Sequence, residues 1–156
     1  FLIDDEKVYA NKQYLAIHSP YFNTLFFGDF AEKGKSEMEL KDVKSGEFRE
    51  LLKVIYPSCK KINESSAEYL LKLADRFNIM ILVDRAESFI INTSDISNLD
   101  KLRIADKYSL NGLKEHSISK LTTTKDFKAI KKSPIYDVLS ADTRAILFDR
   151  LVTIAK

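Results

Sequence analysis

The sequence predicts an α+β fold: helices packed around a small sheet, followed by an all-helical extension. Three observations lead there. Strictly alternating stretches occur near the start, around Lys7–Ala10 and at Glu37–Lys41. Apolar residues at helical spacing dominate from Ser65 onward. Part of that helical region also repeats itself.

Taken in order, Phe1-Leu2-Ile3 followed by Asp4-Asp5-Glu6 reads as the tail of a strand entering a turn. The chain is expected to be a piece of a longer protein. Val8 and Ala10 alternate with Lys7 and Tyr9, as a short strand with one buried face requires. Asn11 is placed to cap a helix holding Tyr14, Leu15 and Ile17. Ser19-Pro20 starts a second helix, because serine satisfies a free N–H while proline needs none at the first helical position. Phe22, Leu25 and Phe26 form its inward stripe, and Gly28 stops it.

Glu37-Met38-Glu39-Leu40-Lys41 reads as a half-buried strand. Ser45 is expected to cap a helix whose Phe48, Leu51, Leu52 and Ile55 fall on one face, and Pro57 ends it. Ser65-Ser66-Ala67-Glu68 has the form of a capping box, and Ser97-Asn98-Leu99-Asp100 is a looser version. The residues behind these two signals correspond. Lys72-Leu73-Ala74-Asp75-Arg76-Phe77-Asn78-Ile79 matches Arg103-Ile104-Ala105-Asp106-Lys107-Tyr108-Ser109-Leu110 at an offset of 31 positions. One helix pair is thus followed by a similar pair. Thr122-Thr123-Thr124-Lys125-Asp126-Phe127 starts a further helix, which Ser133-Pro134 breaks. The last helix follows Ser140, with Ala145, Phe148, Leu151, Val152 and Ala155 expected to face inward.

Composition removes several function classes. The 25 basic and 23 acidic side chains leave a formal charge of +2 and are mixed along the chain, so no nucleic-acid footprint exists. No apolar run approaches the ~20 residues that span a bilayer. Cys59 is the sole cysteine, and with only His18 and His116 beside it no zinc-ligand spacing occurs. A reduced, intracellular protein without cofactors is expected, in the cytoplasm or nucleus.

Catalysis needs an activated nucleophile, an acid–base pair, a metal or a cofactor cradle. Lys60 and Lys61 could lower the Cys59 thiol pKa, but no histidine lies near it in sequence. His18 sits between two helices as an interface residue. None of the four glycines forms a phosphate-binding loop. The sequence argues against an enzyme.

Contact surface is the better reading. Phe27 points off the buried stripe, and Phe30 follows the glycine that ends the helix. Phe30 is either tucked beneath the loop or displayed; a displayed ring beside Glu32 would suit an interaction hot spot. Phe1, Leu2, Ile3, Tyr14, Leu15, Ile17 and Tyr21 exceed what one strand and one helix normally bury. Either they pack into the core or they form a self-associating face.

The run Asn11 to Phe22, then Phe26, Phe30-Ala31-Glu32, Met38 to Val43 and Phe48 to Tyr56 resembles the BTB/POZ domain. The whole chain looks closest to nematode proteins that join a MATH domain to BTB. The resemblance places the BTB/POZ domain at 1–92 and, at 93–156, a helical extension similar to the 3-box and BACK-like region. It implies a homodimer with Phe1, Ile3, Tyr14, Leu15, His18 and Tyr21 at the dimer face. It further implies an adaptor of a cullin-RING ubiquitin ligase, with Phe30, Ala31 and Glu32 contacting the cullin N-terminal helices. Substrate would be captured by an N-terminal domain that the chain lacks. The competing reading keeps the dimer without the ligase, as in transcriptional regulation or assembly.

Overall fold

A β-hairpin opens the chain. Strands β1 (Leu2–Ile3) and β2 (Glu6–Lys7) pair antiparallel, with Leu2 opposite Lys7 and Ile3 opposite Glu6. Asp4 and Asp5 form the turn with φ of 50° and 61°. Two positive φ values give the turn whose twist matches the flanking strands, and aspartate tolerates that region better than most residues. The computed structural model describes residues 1–28, 37–57 and 60–155. They divide into two compact units, Phe1–Ala86 and Glu87–Lys156.

In the first unit, Leu2 also bridges Glu39 in parallel. Its N–H donates to the Met38 carbonyl at 2.8 Å, and its carbonyl accepts from Leu40 at 3.0 Å. Met38 and Leu40 are buried while Glu37, Glu39 and Lys41 are exposed, as the alternation predicts. The pairing stays a single bridge because β1 offers only two residues. Val8 is likewise buried and Tyr9 exposed, although strand pairing stops at Lys7.

Helix α1 (Lys12–His18) begins where Asn11 Oδ1 accepts from the Tyr14 N–H at 2.9 Å. Helix α2 (Pro20–Phe27) begins at Ser19, whose Oγ accepts from the Phe22 N–H at 3.0 Å. The same hydroxyl donates to the Phe77 carbonyl at 2.5 Å, so this fully buried serine satisfies a local donor and an acceptor 58 positions away. Helix α3 (Ser45–Ile55) departs from expectation. Ser45 is already helical, Lys44 precedes it without a side-chain cap, and Asp4 Oδ2 accepts from the Ser45 N–H at 3.2 Å. A carboxylate from the hairpin turn takes the place of a local cap.

Helix α4 (Glu64–Arg76) is capped by Asn63, in a reciprocal box with Ser66, rather than by Ser65. The Asn63 side-chain Oδ1 is a strong cap acceptor, and the Ser65 hydroxyl donates to it at 2.8 Å instead of competing. Around these elements the core closes on fully buried Phe22, Phe48 and Phe77. The Phe22 and Phe77 ring centroids are 4.9 Å apart, and Phe1 lies 5.3 Å from Phe48 in an edge arrangement.

The division between units falls inside α5 (Met80–Asn92). The second unit continues with α6 (Asn98–Lys107), α7 (Asn111–Ser119), α8 (Thr124–Lys132), α9 (Ile135–Val138) and α10 (Ala141–Ile154). Leu102, Ile118, Leu121, Phe127, Ile130, Leu139 and Leu147 make its core. Lys101 is buried against the end of α5, donating to the Ile91 and Thr93 carbonyls at 3.0 and 2.6 Å. Burial lowers its pKa, with Lys120 adding to the shift.

Helix α10 corrects the expected inward face. Thr143 and Leu147 are buried and Leu151 and Ile154 half-buried, whereas Ala145, Phe148, Val152 and Ala155 are exposed. Asp106 decides the phase. Its carboxylate accepts from the Ser140 N–H and hydroxyl, both at 2.6 Å, and from the Thr143 hydroxyl, which turns Thr143 inward. No described helix is long and apolar enough to cross a membrane.

Candidate functional site

The surface of the first unit takes its character from α1 and α2. Four of the six large exposed hydrophobics described in this unit are Tyr9, Ile17, Tyr21 and Phe27, which lie on these two helices or just before them. The bend at Ser19 explains the display of Ile17 and Tyr21. Its two hydrogen bonds fix where α1 ends and α2 begins, so Ile17 closes one helix and Tyr21 opens the next. Ile17 is 77 % exposed, and Tyr21 is 42 % exposed with its ring 5.3 Å from that of Phe77.

Tyr14 and His18 flank this strip on one helical turn. The Tyr14 hydroxyl donates to the Ile55 carbonyl at 2.8 Å, and its ring meets Tyr56 edge-on at 5.0 Å. Tyr56 in turn accepts from the Asn11 N–H at 3.0 Å. The His18 ring rests on Tyr14 with centroids 4.7 Å apart. Both side chains are half-buried, so they present rigid edges rather than free groups. Phe1 is half-buried against Phe22, Phe26 and Phe48, at the margin of what a partner could reach.

Two residues expected at the dimer face are elsewhere. Ile3 is 1 % exposed and Leu15 is 0 % exposed. The hairpin pleat turns Ile3 inward, and the α1 stripe puts Leu15 beneath its own helix, so neither has surface to offer a partner. Tyr9, at 85 % exposure, was not singled out as contact surface. Its alternation with buried Val8 was the available signal. Phe30, Ala31 and Glu32 lie outside the described residues, as does Cys59.

Electrostatics around the hairpin are solvent-facing. Lys7 pairs with Glu37, and Arg49 donates to Glu6 at 3.1 Å. These partners hold the Glu6 and Glu37 carboxyls below their usual range and raise Lys7, each chiefly through the paired hydrogen bond. Exposed pairs of this kind set orientation more than stability. Among the described residues no group of three or more His, Cys, Asp or Glu could hold a metal ion. The arrangement can bury aromatic and aliphatic area against a partner.

A family model for the BTB/POZ domain matches residues 1–94. Three relatives from Caenorhabditis elegans match most of the chain. BTB and MATH domain-containing protein 38 is 40 % identical over 98 % of this chain and 40 % of its own length. BTB and MATH domain-containing protein 36 is 36 % identical over 97 % of the chain and 47 % of its own. BTB and MATH domain-containing protein 15 is 36 % identical over 78 % and 44 % respectively. The chain therefore spans less than half the length of these relatives. An α+β hairpin-and-helix unit, a helical continuation and these matches agree: the chain belongs to the BTB/POZ domain family.

Proposed function

We propose that the chain is a homodimeric protein-interaction domain, the substrate adaptor of a cullin-RING ubiquitin ligase, and that it catalyses nothing. Family membership supports protein interaction. The observation that carries the dimer is the exposed strip of Ile17 and Tyr21, flanked by rigid Tyr14 and His18. Burying such a strip against its symmetry mate would remove apolar area from water on both copies. Phe1 sits at its margin; Ile3 and Leu15 support it from beneath.

In this reading residues 1–92 form the BTB/POZ domain and 93–156 the helical extension. Phe30 is the apolar anchor for the cullin N-terminal helices, Ala31 leaves them room, and Glu32 pairs with a basic cullin side chain. A further domain of the longer protein captures substrate, and two linked copies raise the ligase's local concentration around a target with two contact points.

Light-scattering mass and pull-down with a purified cullin N-terminal domain test both parts. Ile17→Asp is expected to give a monomer. Phe30→Glu is expected to abolish cullin capture while leaving the dimer mass unchanged. Capture retained by Phe30→Glu sinks the adaptor role; an unaltered dimer without any cullin capture leaves a BTB pairing module for transcriptional regulation or assembly.

A further inference from the structure

The second unit holds a trough of about 620 Å³ between α8 and α10. Thr124, Phe127, Lys128 and Lys131 line one wall, at the i, i+3, i+4 and i+7 positions of α8. The other wall comes from Arg144, Leu147, Phe148 and Leu151 of α10 and from Ala155 at its C-cap, 12 residues that span about 16 Å. Phe127, Ile130 and Leu147 form a buried apolar floor, while Phe148 stands 65 % exposed at the rim.

The charges on this trough have one sign. Lys128, Lys131 and Arg144 line it, and no acidic side chain does. Tyr136 holds two of them in place: the Lys131 Nζ lies 4.1 Å and the Arg144 Cζ 5.8 Å from its ring centroid. We propose that this trough docks an acidic amphipathic helix from a partner protein, with apolar residues on the floor and carboxylates against the three cations. The proposal is independent of the cullin reading, which concerns other residues.

The length and the chemistry select this occupant. About 16 Å accommodates three helical turns, more than a compact small molecule fills. A second copy is a poor match, because a two-fold pairing across this trough would set Lys128, Lys131 and Arg144 against their own images. The concave apolar floor suits a rod better than a flat anionic membrane.

The test uses the whole chain and a fluorescein-labelled helical 15-mer, with leucines on one stripe and glutamates flanking it. Anisotropy is expected to show saturable binding, about tenfold or more tighter than for the same peptide with lysines replacing the glutamates. Combined Lys128→Glu, Lys131→Glu and Arg144→Glu is expected to reverse that preference, and Phe148→Ser to weaken binding about tenfold. Because these side chains are at the surface, the thermal melts should hold. If one does not, the peptide comparison and a salt titration on the unaltered chain decide alone.

Equal binding of the two peptides, or none of either, overturns the proposal. So does retained binding by the charge-reversed variant with an unchanged melt. Phe148-dependent dimerisation in sedimentation would reassign the trough to a second copy. Cation-dependent pelleting with phosphatidylserine vesicles would reassign it to a membrane.

Discussion

The turn between α4 and α5 and the turn between α6 and α7 are the same backbone object made twice. Phe77 and Tyr108 donate to Leu73 and Ile104 at 2.9 and 3.1 Å; Ile79 and Leu110 donate to Ala74 and Ala105 at 2.8 and 2.9 Å. Between them Asn78 and Ser109 adopt φ of 50° and 55°. Yet the two copies carry different loads. Phe77 is fully buried in the aromatic core, whereas Tyr108 is half-buried under Lys107, whose Nζ lies 4.9 Å from its ring centroid. Asp75 is exposed, whereas Asp106 binds the start of α10. Local sequence makes the turn, and distant partners decide what the turn is for.

The aromatic position should separate the copies most. Phe77→Ala opens a cavity among Phe22, Phe48 and Tyr21 and is expected to cost about 3–5 kcal/mol in denaturant unfolding. Tyr108→Ala is expected to cost about 1–2 kcal/mol, since its side chain is only half-buried and lies outside the aromatic core. Equal losses would break the contrast.

The aspartates come next. Asp106→Ala leaves the Ser140 N–H, two hydroxyls and Lys114 short of their acceptor, and should cost about 2–4 kcal/mol. Asp75→Ala should stay within about 0.5 kcal/mol. Acid sharpens the test. Burial by itself would raise the Asp106 pKa, but the hydrogen bonds from Ser140, Thr143 and Lys114 together hold it at about 2. A carboxyl whose folded pKa is depressed stabilises fully above its ordinary value and loses that contribution as pH falls. About 2 kcal/mol should therefore disappear between roughly pH 4 and pH 2, and Asp106→Asn should flatten a stability profile over that window.

The smallest contrast lies in the turn itself. Glycine relieves the cost of positive φ, so Ser109→Gly should raise the melting free energy by about 1 kcal/mol. Asn78→Gly should gain less, because asparagine already tolerates that region. A larger gain at Asn78 would show that the two turns are not equally strained.

What the chain discloses follows the range of the interactions. The repeated turn was legible because its hydrogen bonds close within five residues. So were the caps at Asn11, Ser19 and Ser97, each accepting from an N–H three residues on. The clamp between Asp106 and Ser140 was not, since nothing in either segment names a partner 34 positions away. Helix α10 was misphased for a related reason. Ile146, Leu147, Phe148, Leu151, Val152 and Ile154 put apolar groups around most of its circumference, so periodicity alone has no single solution. The candidate dimer face was legible as an excess of apolar residues near the start of the chain. Which of them stay outside was set by the hairpin pleat and the Ser19 bend, and these put Ile3 and Leu15 inside.

The clamp also ties the trough to proton concentration. Asp106 sits on α6, yet it anchors the end of α10 from which Arg144 and Leu147 project. Protonating that carboxylate frees the anchored end, and a guest that favours the anchored wall must oppose protonation by the same free energy. Occupancy would then reveal itself without any label, as a second unit that yields to acid at a lower pH than the empty one.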